Sequence, residues 1–198
     1  MTSFRQGVTM FEKTANLIAK NIMEHSSANA EDFEVHVFGA QQGLVILLNI
    51  ITFVVIGLLV GVFWQIVIFA CAYISLRVYT GGYHASTPVR CYIMSTVMIL
   101  FFALLMRFVV VEPYAVVSLL ALCGLAICFA APIDNENKRL DSDEKRVYKR
   151  RAVIIGAAQI TIALVCLWLG FNIVVSGIFW AVSSVTILMG VAAVTEID

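Results

Sequence analysis

The residues with the clearest chemical potential are a histidine and a cysteine seven positions apart, His84 and Cys91, in the stretch Arg77-Val-Tyr-Thr-Gly-Gly-Tyr-His-Ala-Ser-Thr-Pro-Val-Arg-Cys91. A thiolate is a nucleophile toward carbonyl carbon and an imidazole is its usual base, so the pair suits covalent acyl transfer. Thr87 followed by Pro88 reads as an N-cap and the first helical position, which places Cys91 in the opening turn of a helix. There the helix dipole and the adjacent Arg90 would favour the thiolate. Gly81 and Gly82 let the chain turn back and bring backbone amides close to a bound peptide. Plainer roles stay open: Cys91 as a packing or palmitoylated thiol, His84 as a loop histidine at headgroup level. A metal site is not expected, because two ligands do not close a tetrahedral shell and His25 and His36 lie on another segment. No cofactor is implied.

These residues must be positioned by a membrane protein. Of the 198 residues 61% are hydrophobic and 13% charged, and the mean hydropathy is +0.95, outside the range of soluble domains. The formal net charge is zero, so nothing points to nucleic acid. The five cysteines, Cys71, Cys91, Cys123, Cys128 and Cys166, are scattered through apolar runs, which argues against a disulfide framework. The N-terminus lacks the apolar core and cleavage site of a secretory signal. Residues 1–34 instead show Phe4, Val8, Phe11, Ala15, Ile18 and Ile22 at helical spacing, an amphipathic helix suited to the interface or to a partner.

No charge occurs from Val37 to Leu76. Forty residues in one helix would reach ~60 Å, twice a hydrocarbon core, so two spans are expected with a break at Gly57 to Gly61. Further spans are expected at Pro88–Met106, Tyr114–Ala131, Ala152–Phe171 and Ile173–Val194. The expected class is all-α and polytopic: six spans in a domain over 35–198, with polar loops at 77–90 and 132–151. In this scheme twelve of the thirteen basic residues share one face and Arg107 alone lies opposite. The positive-inside tendency makes the shared face cytoplasmic, with both termini inside. Membrane lipid is one partner. Small residues such as Gly57, Gly61, Gly124 and Ala126 would also allow a homodimer or close packing within one copy.

The pattern formed by Arg77, Gly81, Gly82, His84, Ala85, Cys91 and Ser95 resembles the accessory gene regulator protein B family. A second run, Ala131, Pro132, Asp134, Asn137, Lys138, Arg139 and Leu140, resembles that family's polar loop after the fourth span, although Arg139 stands where many members have proline. The resemblance implies a membrane-embedded cysteine endopeptidase of Gram-positive bacteria. Its partner would be the precursor of a quorum-sensing peptide, whose C-terminal tail is cut before cyclisation as a thiolactone or lactone. The family's histidine and cysteine fall on His84 and Cys91.

For the remaining polar residues the expectations are broader. Arg77 could bind an acidic peptide tail, orient the loop or mark the membrane boundary. Asp134 is the foremost carboxylate for a third catalytic role, against a solvated acid. Lys138 and Arg139 could meet an acidic substrate or enforce topology. The competing class is a small transporter or an accessory subunit. Transporters usually carry ionisable groups within their spans, whereas these span interiors offer only neutral polar groups such as Asn49, Gln65, Gln159 and Asn172.

Overall fold

A computed structural model describes Leu17 and residues 33–81, 87–133 and 141–195. The expected N-terminal amphipathic helix lies outside the described residues except for Leu17, which is helical. Six helices follow: α1 (Phe33–Val60), α2 (Phe63–Thr80), α3 (Pro88–Phe108), α4 (Pro113–Ala130), α5 (Ser142–Trp168) and α6 (Asn172–Thr195). Each is long and apolar enough to cross a membrane, and no strand occurs among the described residues. In lipid every backbone polar group must be satisfied internally, which is why apolar runs of this length become helices.

The break inside the uncharged run falls at Gly61 and Val62. There Val62 N–H donates to Gly57 O at 2.9 Å and Gly61 N–H to Leu58 O at 3.3 Å, the paired bonds of a Schellman end with Gly61 at φ 77°. The end of α5 repeats this: Phe171 N–H reaches Cys166 O at 2.9 Å and Gly170 N–H reaches Leu167 O at 3.2 Å, with Gly170 at φ 80°. Glycine after the last helical residue thus turns two hairpins with no polar loop.

Both polar loops are shorter than expected: α2 runs on to Thr80 and α3 begins at Pro88, so the two ends of 77–90 are helical. The polar segment 132–151 is not all loop, because α5 begins at Ser142 and carries ten residues of it as helix. Asp141 and Glu144 form a capping box: the Asp141 carboxylate accepts Ser142 N–H at 2.7 Å, and Glu144 accepts Asp141 N–H at 3.3 Å. That device starts a helix in polar sequence where hydropathy gives no signal.

The chain divides into two compact units. One takes Met1–Thr52 and Ala85–Met98, in which Thr52 Oγ1 and Tyr92 Oη are hydrogen-bonded at 2.8 Å between α1 and α3. The other takes Phe53–His84 and Ile99–Asp198. Within it α2, α4, α5 and α6 pack together, most extensively α2 against α6. Phe69, Ile66 and Leu76 of α2 are fully buried, and Phe69 stacks beside Phe102, whose ring in turn meets Trp180 at 5.9 Å. Gln159 Nε2 donates to Ala72 O at 2.9 Å and to Ser75 Oγ at 3.0 Å, tying α5 to α2. Interhelical bonds in bilayers contribute about 0.6 kcal/mol each, so this pair fixes register while packing holds the seam.

Candidate functional site

Cys91 sits where Thr87 and Pro88 were expected to put it. Thr87 Oγ1 accepts Arg90 N–H at 3.3 Å and Thr87 O accepts Cys91 N–H at 3.0 Å, the bonds of an N-cap and of the first full helical turn. Proline at the next position, which has no N–H to leave unpaired, begins the helix. Cys91 is a half-buried free thiol and Arg90 is exposed. Two of the opening amides are therefore committed to Thr87, Pro88 has none, and Val89 N–H is the first-turn donor that remains among the described residues.

The other four cysteines occupy different environments. Cys71 and Cys123 lie in the middle of α2 and α4, and Cys128 and Cys166 lie in the last turns of α4 and α5. A helix C-terminus presents carbonyls, which offer no donors to a thiolate or to an oxyanion.

The other compact unit holds the exit of α2, where the first of the two motifs begins. Arg77 is half-buried in its last turn, where a cation complements the carbonyl end of the helix. Thr80 is fully buried and its carbonyl accepts Ile133 N–H at 3.0 Å. Gly81 follows at φ 69° and ψ −156°, a region open in practice only to glycine, and pairs with Ile133 in an isolated parallel bridge. A Cβ on Gly81 would collide with the Ile133 carbonyl oxygen. The glycine is thus required twice, by its backbone angles and by the approach of a second chain segment.

That segment is the exit of α4. Ala131 N–H still bonds Ile127 O at 3.2 Å, Pro132 ends the helix, and Ile133 is held against Gly81. The two sequence motifs, some fifty residues apart, therefore open side by side: one runs on from Gly81 and the other from Ile133. Gly82, His84, Asp134, Lys138 and Arg139 lie outside the described residues.

Sequence reasoning missed the buttress behind this junction. Tyr148, on the polar extension of α5, meets Tyr79 edge to face at 5.7 Å, and the Arg151 guanidinium lies 5.5 Å from the Tyr79 ring centroid. The capping-box spacing Asp141-x-x-Glu144 was the signal that could have revealed a helix there. The Thr52–Tyr92 bond, next to Cys91 in the chain, had no such signal.

Comparison with known proteins places this arrangement. The family model described as accessory gene regulator B matches residues 11–189. A protein of Listeria innocua serovar 6a named AgrB-like is 26% identical over 165 residues, covering 81% of this chain and 78% of the relative. Another AgrB-like protein, from Listeria monocytogenes serotype 4a, is 27% identical over the same extent. No solved structure matches the chain. The matched region takes in both polar motifs and all six helices nearly to their end, so the chain belongs to the accessory gene regulator B family, which is tied to the processing of quorum-sensing propeptides.

Proposed function

We propose that this protein is a membrane-embedded cysteine endopeptidase that removes the C-terminal tail of a quorum-sensing propeptide. The observation that carries the proposal is the setting of Cys91, the one cysteine at the amide end of a helix, seven residues after His84 in the sequence.

His84 takes the Cys91 proton, and the thiolate attacks the scissile carbonyl. The tetrahedral oxyanion is met by backbone N–H groups, for which Val89 and the Gly81–Gly82 pair are the candidates. Collapse expels the tail as a free amine, protonated by the imidazolium, and leaves an acyl-enzyme thioester. A nucleophile within the retained peptide then attacks that thioester, regenerating the Cys91 thiol and closing a thiolactone or lactone. Effective molarities for oriented intramolecular attack reach on the order of 10⁵ M or more, enough to outrun water at a site partly withdrawn from it. Arg77, Lys138 and Arg139 supply positive charge for the peptide.

The protein would reside in the plasma membrane of a Gram-positive bacterium with both termini cytoplasmic. The skew of basic residues supports this orientation. The turns at 61–62, 109–112 and 169–171 would then face outward. Lipid is a partner in this reading, and a second copy of the chain remains a proposal.

The test is precursor cleavage in cells lacking any relative. Cys91→Ala and His84→Ala should each abolish it while the protein still inserts, whereas alanine at Cys71, Cys123, Cys128 or Cys166 should leave it largely unchanged. Normal processing by the Cys91 or His84 variant would reject the assignment.

A further inference from the structure

The polar start of α5 holds five cations within 145–151: Lys145, Arg146, Lys149, Arg150 and Arg151. The whole helix has 27 residues, which reach ~40 Å against a hydrocarbon core of ~30 Å. Its last turns, 164–168, carry no charge, so the excess length falls at the polar end. The apolar part begins at Ala152, which places Arg150 at the rim of the hydrocarbon. Arg146 lies about one turn farther out, within a headgroup layer of roughly 5–8 Å.

Two stripes at helical spacing run down α5 from these cations, and they meet different surroundings. Lys145 and Lys149 head the stripe of Ala152, Gly156, Gln159 and Ala163, all buried in the bundle. Arg146 and Arg150 head the stripe of Ile154, Ala157, Thr161 and Val165, all exposed. In a span, an exposed apolar stripe is the side that acyl chains cover. The lysines therefore overhang the bundle, and the arginines overhang lipid.

We infer that Arg146 and Arg150 bind the phosphate headgroup of an anionic phospholipid whose acyl chains lie along the exposed stripe of α5. Residues four apart on a helix have Cβ atoms about 5–6 Å apart, so two long side chains can reach one phosphate. Guanidinium forks match phosphate oxygens in pairs, which an ammonium does not. Neither arginine makes a hydrogen bond or ion pair with another described residue, and both are exposed. Arg151 is turned to the Tyr79 ring instead, and Tyr148 meets the same ring at 5.7 Å. Those contacts fix the polar end of α5 to α2 and hold the arginine pair at one height. Basic clusters beside a span attract anionic lipid, and here the pair sits on the lipid side of the helix. An acidic peptide approaching the mouth of the bundle would meet the lysine stripe first. The site is independent of the proposed reaction.

The experiment uses the full chain in neutral detergent micelles and reads retained lipid by native mass spectrometry during titration with phosphatidylglycerol or phosphatidylcholine. The chain should retain the anionic lipid in preference to the zwitterionic one. Arg146→Gln with Arg150→Gln should weaken that retention on the order of tenfold or more. Lys145→Gln with Lys149→Gln removes the same charge from the other stripe and should leave it within about twofold. Arg146→Lys with Arg150→Lys should keep only part of the affinity, since charge remains without the fork. Thermal unfolding midpoints in phosphatidylcholine micelles check that each variant is folded.

Equal weakening by the arginine and lysine pairs would overturn the inference, because the attraction would then be diffuse. Equal retention of the two lipids would overturn it too. Inorganic phosphate that displaces phosphatidylglycerol at millimolar concentration would mark a free-anion site without a role for the acyl chains. An oligoglutamate peptide that binds lipid-free micelles with the same dependence on Arg146 and Arg150 would make the face a peptide-docking surface, and the lipid site would fall.

Discussion

Glycine ends a helix in this protein in two physically different ways. At Gly61 and Gly170 the backbone turns with positive φ and closes paired Schellman bonds, and around Gly170 a Cβ would meet nothing within 4 Å. At Gly81 the angles are φ 69° and ψ −156°, and the space a Cβ would need is filled by the Ile133 carbonyl. The first two serve connectivity: they reverse the chain cheaply between spans. The third admits another segment to the place where the loop carrying His84 begins, the loop of the proposed site. One residue type at three helix ends thus separates a scaffold turn from a functional junction.

Substitution at these positions tests the distinction. Gly81→Ala should be the most damaging, since it meets both the forbidden backbone region and the Ile133 carbonyl. Displacing the His84 loop by about 1 Å can cost on the order of 10²-fold in rate, and cleavage should fall by that order. Gly81→Asn should do no better, because asparagine tolerates the left-handed helical region but not these angles.

Gly170→Ala should cost about 1 kcal/mol of stability, seen as a lower midpoint in detergent thermal unfolding, with cleavage within about twofold of the parent. Gly170→Asn should recover part of that stability, since asparagine occupies such C-terminal positions. Gly61→Ala should behave like Gly170→Ala. Equal loss of cleavage at Gly81 and Gly170 would erase the difference between junction and turn.

Much of the scaffold was legible because a bilayer imposes so strong a rule. Uncharged runs of about twenty residues give spans, and Tyr114–Ala131 and Ile173–Val194 differ from α4 and α6 by a residue at each end. The break at Gly61 was legible because forty apolar residues cannot cross once. Hydropathy failed at 142–151, where a capping box starts α5 in water-compatible sequence before its apolar part begins.

The site was legible in residue types but not in contacts. Thr87 and Pro88 announced the helix start at Cys91 because capping is local, fixed by neighbours within four residues. The Gly81–Ile133 bridge joins segments some fifty residues apart through backbone atoms, which leave no periodicity and no side-chain signature. Gly81 itself was marked as a residue of turning and close approach, yet what approaches it became visible only in the fold. Tyr148 and Arg151 read as members of a charged stretch until the helix turned them toward Tyr79.

The central claim is that Cys91 is the nucleophile of a reaction whose thioester is resolved by the peptide itself. Its most direct test is mass spectrometry of the full-length enzyme after incubation with a precursor whose internal nucleophile has been replaced. The account predicts an adduct of the shortened peptide on Cys91, released by hydroxylamine and absent from Cys91→Ala. Linear peptide released at an undiminished rate with no adduct would contradict the cyclising route, and an adduct that persists in Cys91→Ala would contradict the nucleophile.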